Sequence, residues 1–81
     1  MIRLSEKSLK ILKHCLQKYD SSLMSFIEDA NISTYTPEFY NQLRQIVGDE
    51  LIAEGFDENY EPNDYGTSLE RVIDEIGGLF M

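Results

Sequence analysis

The sequence predicts an all-α fold, a small bundle of three helices, or four if the first one breaks, with a long acidic loop before the last. Three observations predict it. Apolar residues recur at helical spacing along most of the chain. Helix-starting and helix-stopping residues punctuate those stripes at suitable distances. No segment alternates apolar with polar residues for long enough to make a strand. Eighty-one residues make one helical domain, 1–81. A chain this short buries only about 60–65% of the surface its unfolded form exposes. It has room for a flat or shallow binding surface rather than for a core plus a deep cleft.

The first helix begins at Ser5, whose hydroxyl can accept a free backbone N–H of the first turn. Leu4 and Leu9 flank that start as a hydrophobic staple. Leu9, Leu12, Leu16, Tyr19, Leu23, Phe26 and Ala30 then follow one another in alternating steps of three and four. That is one helical stripe, widened by Ile11, Cys15 and Ile27 into a core-facing surface. The spacing predicts a single helix from about Ser5 to about Ala30. Asp20-Ser21-Ser22 is the alternative break point, because these side chains compete for backbone hydrogen bonds.

Residues 31–35 read as a loop. Thr36-Pro37-Glu38 is a helix start: Thr36 caps, Pro37 lacks an N–H where none is needed, and Glu38 faces the positive end of the dipole. Phe39, Leu43, Ile46, Val47 and Leu51 mark the buried face, and Gly55 stops the helix after Glu54. Gly48 in the middle costs about 1 kcal/mol relative to alanine. Phe56 is expected to fold back into the core. Asp57 to Gly66 reads as an irregular loop of about ten residues, longer than most connections between packed helices. Within it Pro62 restricts Glu61 to extended backbone, and Asn63 to Gly66 reads as a turn. Thr67-Ser68-Leu69-Glu70 matches a capping box, so the last helix is expected to start there. Leu69, Val72, Ile73, Ile76 and Phe80 form its apolar face, and Gly77-Gly78 should end it.

Charge is the strongest compositional signal. The formal net charge is −8, and it is uneven. The first twenty residues hold five cations, Arg3, Lys7, Lys10, Lys13 and Lys18, against Glu6 and Asp20. From Asp49 onward, ten acids face Arg71 alone. Such a field repels nucleic acid and anionic lipid and draws in basic partners. The single cysteine, Cys15, excludes an internal disulfide and fits a reducing cytoplasm. No start resembling a signal peptide and no apolar run of membrane length is present.

Chemistry was sought and not found. Asp57, Asn59 and Glu61 imitate the first calcium ligands of an EF-hand, but Pro62 then falls where glycine is required and Ser68 where a bidentate glutamate is required. His14 and Cys15 are neighbours on a helix and point about 100° apart, so they do not form a nucleophile–base pair. The residues imply no zinc site, no phosphate loop, no cofactor and no enzyme activity. What remains is an interaction surface of Asp57, Glu58, Tyr60, Glu61, Asp64 and Tyr65. Tyrosine offers large contact area at small entropy cost, and the surrounding acids select a basic partner.

Gly48-Asp49-Glu50-Leu51, Glu61-Pro62-Asn63, Tyr65-Gly66, Leu69-Glu70 and Ile73-Asp74 together resemble the C-terminal half of small acidic immunity proteins from bacterial toxin–immunity systems. The resemblance spans about residues 47–76. It implies an antitoxin that binds and blocks a cognate toxin with a basic surface, often a nuclease, without itself touching nucleic acid or membrane. It implies no particular contact residues. The alternative expectation is an acidic regulatory or adaptor domain that forms a homodimer through the Leu9–Phe26 stripe.

Overall fold

The computed structural model describes residues 3–29 and 35–79. All of the loop expected at 31–35 except Tyr35, and the packing of Phe80, lie outside them. Among the described residues the fold is all-α. Helix α1 runs Glu6–Tyr19, a 3₁₀ turn covers Ser21–Leu23, and α2 is Met24–Glu28. Helix α3 is Pro37–Glu54 and α4 is Asp64–Gly78. Helix α4 packs against both α3 and α1, and α1 packs against α3. One apolar cluster lies between them, built from Leu12, Cys15, Leu16, Ile27, Tyr40, Leu43, Val47, Leu69, Val72 and Ile76.

Several elements start as the sequence predicts. Ser5 caps α1 by accepting from the Ser8 amide, and Thr36 caps α3 by accepting from the Phe39 amide. The single long first helix does not form. Asp20 adopts φ −155°, ψ 85°, which no helix tolerates, and its carboxylate accepts a hydrogen bond from the Ser22 hydroxyl at 2.5 Å. Asp20 thus offers the backbone an alternative to the helical ladder. The turn splits the apolar stripe. Leu12 and Leu16 enter this chain's own core, while Tyr19 and Phe26 remain exposed. The central leucines of the Leu9–Phe26 stripe are thus taken up internally. Phe26 instead meets Phe39 edge-on at 6.0 Å, and Tyr35 stacks on Phe39 at 4.8 Å. The Tyr35 hydroxyl donates to the Phe26 carbonyl at 2.7 Å, which closes α2 onto the start of α3.

The last helix starts four residues earlier than the capping box predicts. Asn63 is its cap, accepting from the Gly66 amide at 2.7 Å, and asparagine is a better cap than threonine. Thr67 lies inside the first turn and donates its hydroxyl to the Asn63 carbonyl. The residues read as a turn, 63–66, are therefore the beginning of α4, and the connection shrinks to residues 55–63. Phe56 also departs from expectation. It pairs with Pro62 in an isolated antiparallel bridge and is 39% exposed rather than tucked into the core.

Gly55 does end α3, but for a different reason than the left-handed stop expected of it. Its φ is −90°, which any residue adopts. What it provides is room. A Cβ on Gly66 would lie 2.0 Å from the Gly55 carbonyl oxygen, so the two backbones touch directly. This contact sets how closely α4 begins beside the end of α3.

Candidate functional site

Two acidic centres emerge from the fold, one turned outward and one inward. The outward one is the connection 55–63. Both ends are tied down: the Asn63 amide donates to the Gly55 carbonyl at 2.9 Å, and the Asn63 side chain donates to the Glu54 carbonyl at 3.0 Å. Asp57 organises the interior. Its Oδ1 accepts from the Asn59 amide at 2.8 Å and from the Glu61 amide at 3.1 Å. Its own amide donates to the Glu61 carbonyl at 2.9 Å, and its carbonyl accepts from the Tyr60 amide at 3.0 Å. The amides of Asp57, Asn59, Tyr60 and Glu61 are thereby all bonded within the loop, so the tip holds a shape of its own.

That shape forces Tyr60 into left-handed backbone, φ 62°, the one such non-glycine position among the described residues. A bulky residue there costs on the order of 1 kcal/mol. The ring is 88% exposed, so no packing offsets the cost. Glu58 and Glu61 stand exposed beside it.

The six expected contact residues thus divide. Glu58, Tyr60 and Glu61 project together from the tip. Asp57 is exposed, but one of its oxygens holds the loop. Asp64 sits in the first turn of α4, where it lines a groove with Lys7 and Arg71. Tyr65 is half-buried, and its hydroxyl donates to Glu50 Oε2 at 2.8 Å.

Glu50 is the inward centre, and the sequence reading passed over it as one acid among ten. It is 1% exposed. Lys18 Nζ lies 2.8 Å from its Oε1 and the Tyr19 hydroxyl 3.1 Å from the same oxygen. Tyr65 holds Oε2, and His14 Nε2 is 3.7 Å from it. Burial pushes the Glu50 pKa up, but the hydrogen bonds from Lys18, Tyr65 and Tyr19, together with the Lys18 charge, outweigh it and hold the carboxyl below its ordinary value. Burial, and then the same carboxylate, raise the Tyr65 phenol above its ordinary value. Burial, then Glu50, pushes the Cys15 thiol up to about 11, so it stays a thiol at neutral pH. A signal for this centre was present: Leu43, Val47 and Glu50 are spaced as one helical face, so Glu50 falls on the apolar stripe. A carboxylate there must find partners or remain unfolded.

A third acid is also turned inward. Glu75 on α4 reaches the start of α1, accepting from the Ser5 amide at 3.0 Å, from the Ser5 hydroxyl at 3.2 Å and from the buried Ser8 hydroxyl. The Ser8 bond leads the Ser5 amide in lowering its pKa.

Three donors hold the two Glu50 oxygens, and the side chain is almost fully buried, so little of this carboxylate faces solvent. Among the described residues no three His, Cys, Asp or Glu side chains are placed to hold a metal ion, and no helix is long and apolar enough to cross a membrane. No family model matches the chain, and no curated protein or solved structure is significantly similar to it. The arrangement lends itself to binding through the outward centre, with the inward one holding the scaffold.

Proposed function

We propose that the chain is a non-enzymatic inhibitor, an immunity protein that binds a cognate bacterial toxin of the nuclease type and occludes its basic substrate-binding surface. The observation that carries this reading is the tip itself: Glu58, Tyr60 and Glu61 are held outward by a loop whose own backbone is internally hydrogen-bonded. Preorganised contacts lose little entropy on binding, and an exposed tyrosine among acids is suited to a desolvated basic pocket. The sequence resemblance and the −8 charge support the same reading. On this reading the protein acts in the cytoplasm, takes no cofactor and touches no nucleic acid directly. The negative field would speed encounter with a cationic surface and weaken with added salt.

The test is protection of host cells that express a nuclease-type toxin domain, should a neighbouring reading frame encode one. The wild-type chain should protect them. A Glu58→Gln, Tyr60→Ala, Glu61→Gln triple variant that melts at or above the wild-type temperature should not. Full protection by that variant would sink the reading.

A further inference from the structure

We propose that the outer face of α3 is a second part of the interface, a docking surface for a cationic amphipathic segment of the protein partner. This rests on the reading that the partner is basic. Gln45, Asp49 and Ile52 follow one another at steps of four and three, so they share one side of α3, and Phe56 lies just beyond the end of the helix. That side lies opposite the core face of Leu43, Val47 and Glu50. Ile52 stands at its centre and is 76% exposed, and Phe56 continues the line toward the Tyr60 tip. Lone exposed apolar residues need no explanation, but these three large ones fall within nine residues of chain and lead into the loop already described.

The other end of the face supplies the charge argument. A groove of about 160 Å³ opens between α3 and the 3₁₀ turn, with Asp20 and Asp49 on its walls and Leu23 and Ile46 among its lining. Among the described residues neither aspartate is in an ion pair; Asp20 accepts from the Ser22 hydroxyl, and Lys18 pairs with Glu50. Carboxylate walls with apolar neighbours suit a lysine or arginine, whose stem is apolar and whose head is charged. A second copy of this chain, carrying the same net charge of −8, is a poor occupant. A basic amphipathic helix satisfies both ends: cations in the Asp20–Asp49 groove and apolar residues over Ile52 and Phe56.

The probe is a synthetic helical peptide of leucine and lysine, of about 18 residues or roughly five turns. It is titrated into the isotope-labelled full chain and followed by amide shifts and by dissociation constant. The largest shifts are expected along residues 45–56, and Ile52→Ser should weaken binding about tenfold. Asp49→Asn should weaken it less. Both positions are exposed, so the melting temperature should hold. Shifts confined to residues 57–61, or affinity unchanged by Ile52→Ser, overturn the α3 surface while leaving the loop reading intact. Affinity lowered by Ile52→Ser but untouched by Glu58→Gln with Glu61→Gln keeps the α3 surface and counts against the loop. A concentration-dependent dimer abolished by Ile52→Ser overturns the proposal in favour of a second copy.

Discussion

Glu50 and Glu58 lie eight residues apart in one acidic stretch, and the fold gives them opposite work. Glu50 is enclosed and holds Lys18, Tyr19 and Tyr65. Glu58 is exposed on a loop that is braced by Asp57 rather than by itself. The contrast teaches that net charge is not surface charge. Glu50 and Glu75 are answered within the molecule, and Asp57, Asp20 and Glu28 are partly engaged by their own loop, by Ser22 and by Lys13, respectively, whereas Glu58 and Glu61 stand exposed.

The largest way to break this contrast is to remove the inward carboxylate. Glu50→Ala should destabilise the fold by about 3 kcal/mol in urea denaturation, because it leaves the half-buried Tyr65 hydroxyl without its acceptor and opens a cavity. Lys18 and Tyr19 reach solvent and soften the loss. Glu58→Gln, by contrast, should move stability by less than about 0.5 kcal/mol. If the two changes cost the same, the inward and outward assignment is wrong.

Glycines sharpen the comparison through sterics. Gly66→Ala should cost about 2 kcal/mol, since its new methyl meets the Gly55 carbonyl and backbone must shift. Gly48→Ala has open space around its Cβ and sits within α3. It should stabilise the protein by about 0.5–1 kcal/mol. Thermal melts of the two variants should therefore move in opposite directions.

Acid provides a third test. The Glu50 pKa is lower folded than its ordinary value of 4.5. Its ionised form therefore contributes stability that is present above 4.5 and is lost as pH falls through the folded value. Glu50→Gln resembles the protonated form. The stability gap between wild type and this variant should be full near neutrality and should close on acidification below 4.5. A gap independent of pH would deny Glu50 its charge in the folded state.

The tip offers a test of strain. Tyr60→Gly relieves left-handed strain at φ 62° and should raise stability by about 1 kcal/mol, offset in part by the greater entropy of an unfolded glycine. The same variant should lose partner binding. A tyrosine that costs stability and is exposed fits retention for contact, so a variant both more stable and equally protective would remove Tyr60 from the interface.

Much of the architecture was legible in advance because local signals agreed. Ser5, Thr36-Pro37 and the residues ending α3 mark their boundaries through side chains a few residues away. Where local signals competed, reading in order chose wrongly. Asn63 and Thr67 both qualify as caps, and the helix takes the earlier, stronger one. Asp20 interrupts a stripe whose spacing is otherwise unbroken. The candidate site was half legible: composition pointed to Glu58, Tyr60 and Glu61, but also to Tyr65, which the fold draws inward to Glu50.

The sequence by itself determined the helical class, the caps of α1 and α3 and the negative field, because periodicity, capping and charge depend on neighbours in the chain or on none. Only the tertiary structure decided which acids are inward and which are outward. Glu50 meets Lys18 and Glu75 meets Ser5 and Ser8 across separations of 32 to 70 residues. Such pairings exist only once α1, α3 and α4 have packed, and burial then makes the pairing obligatory.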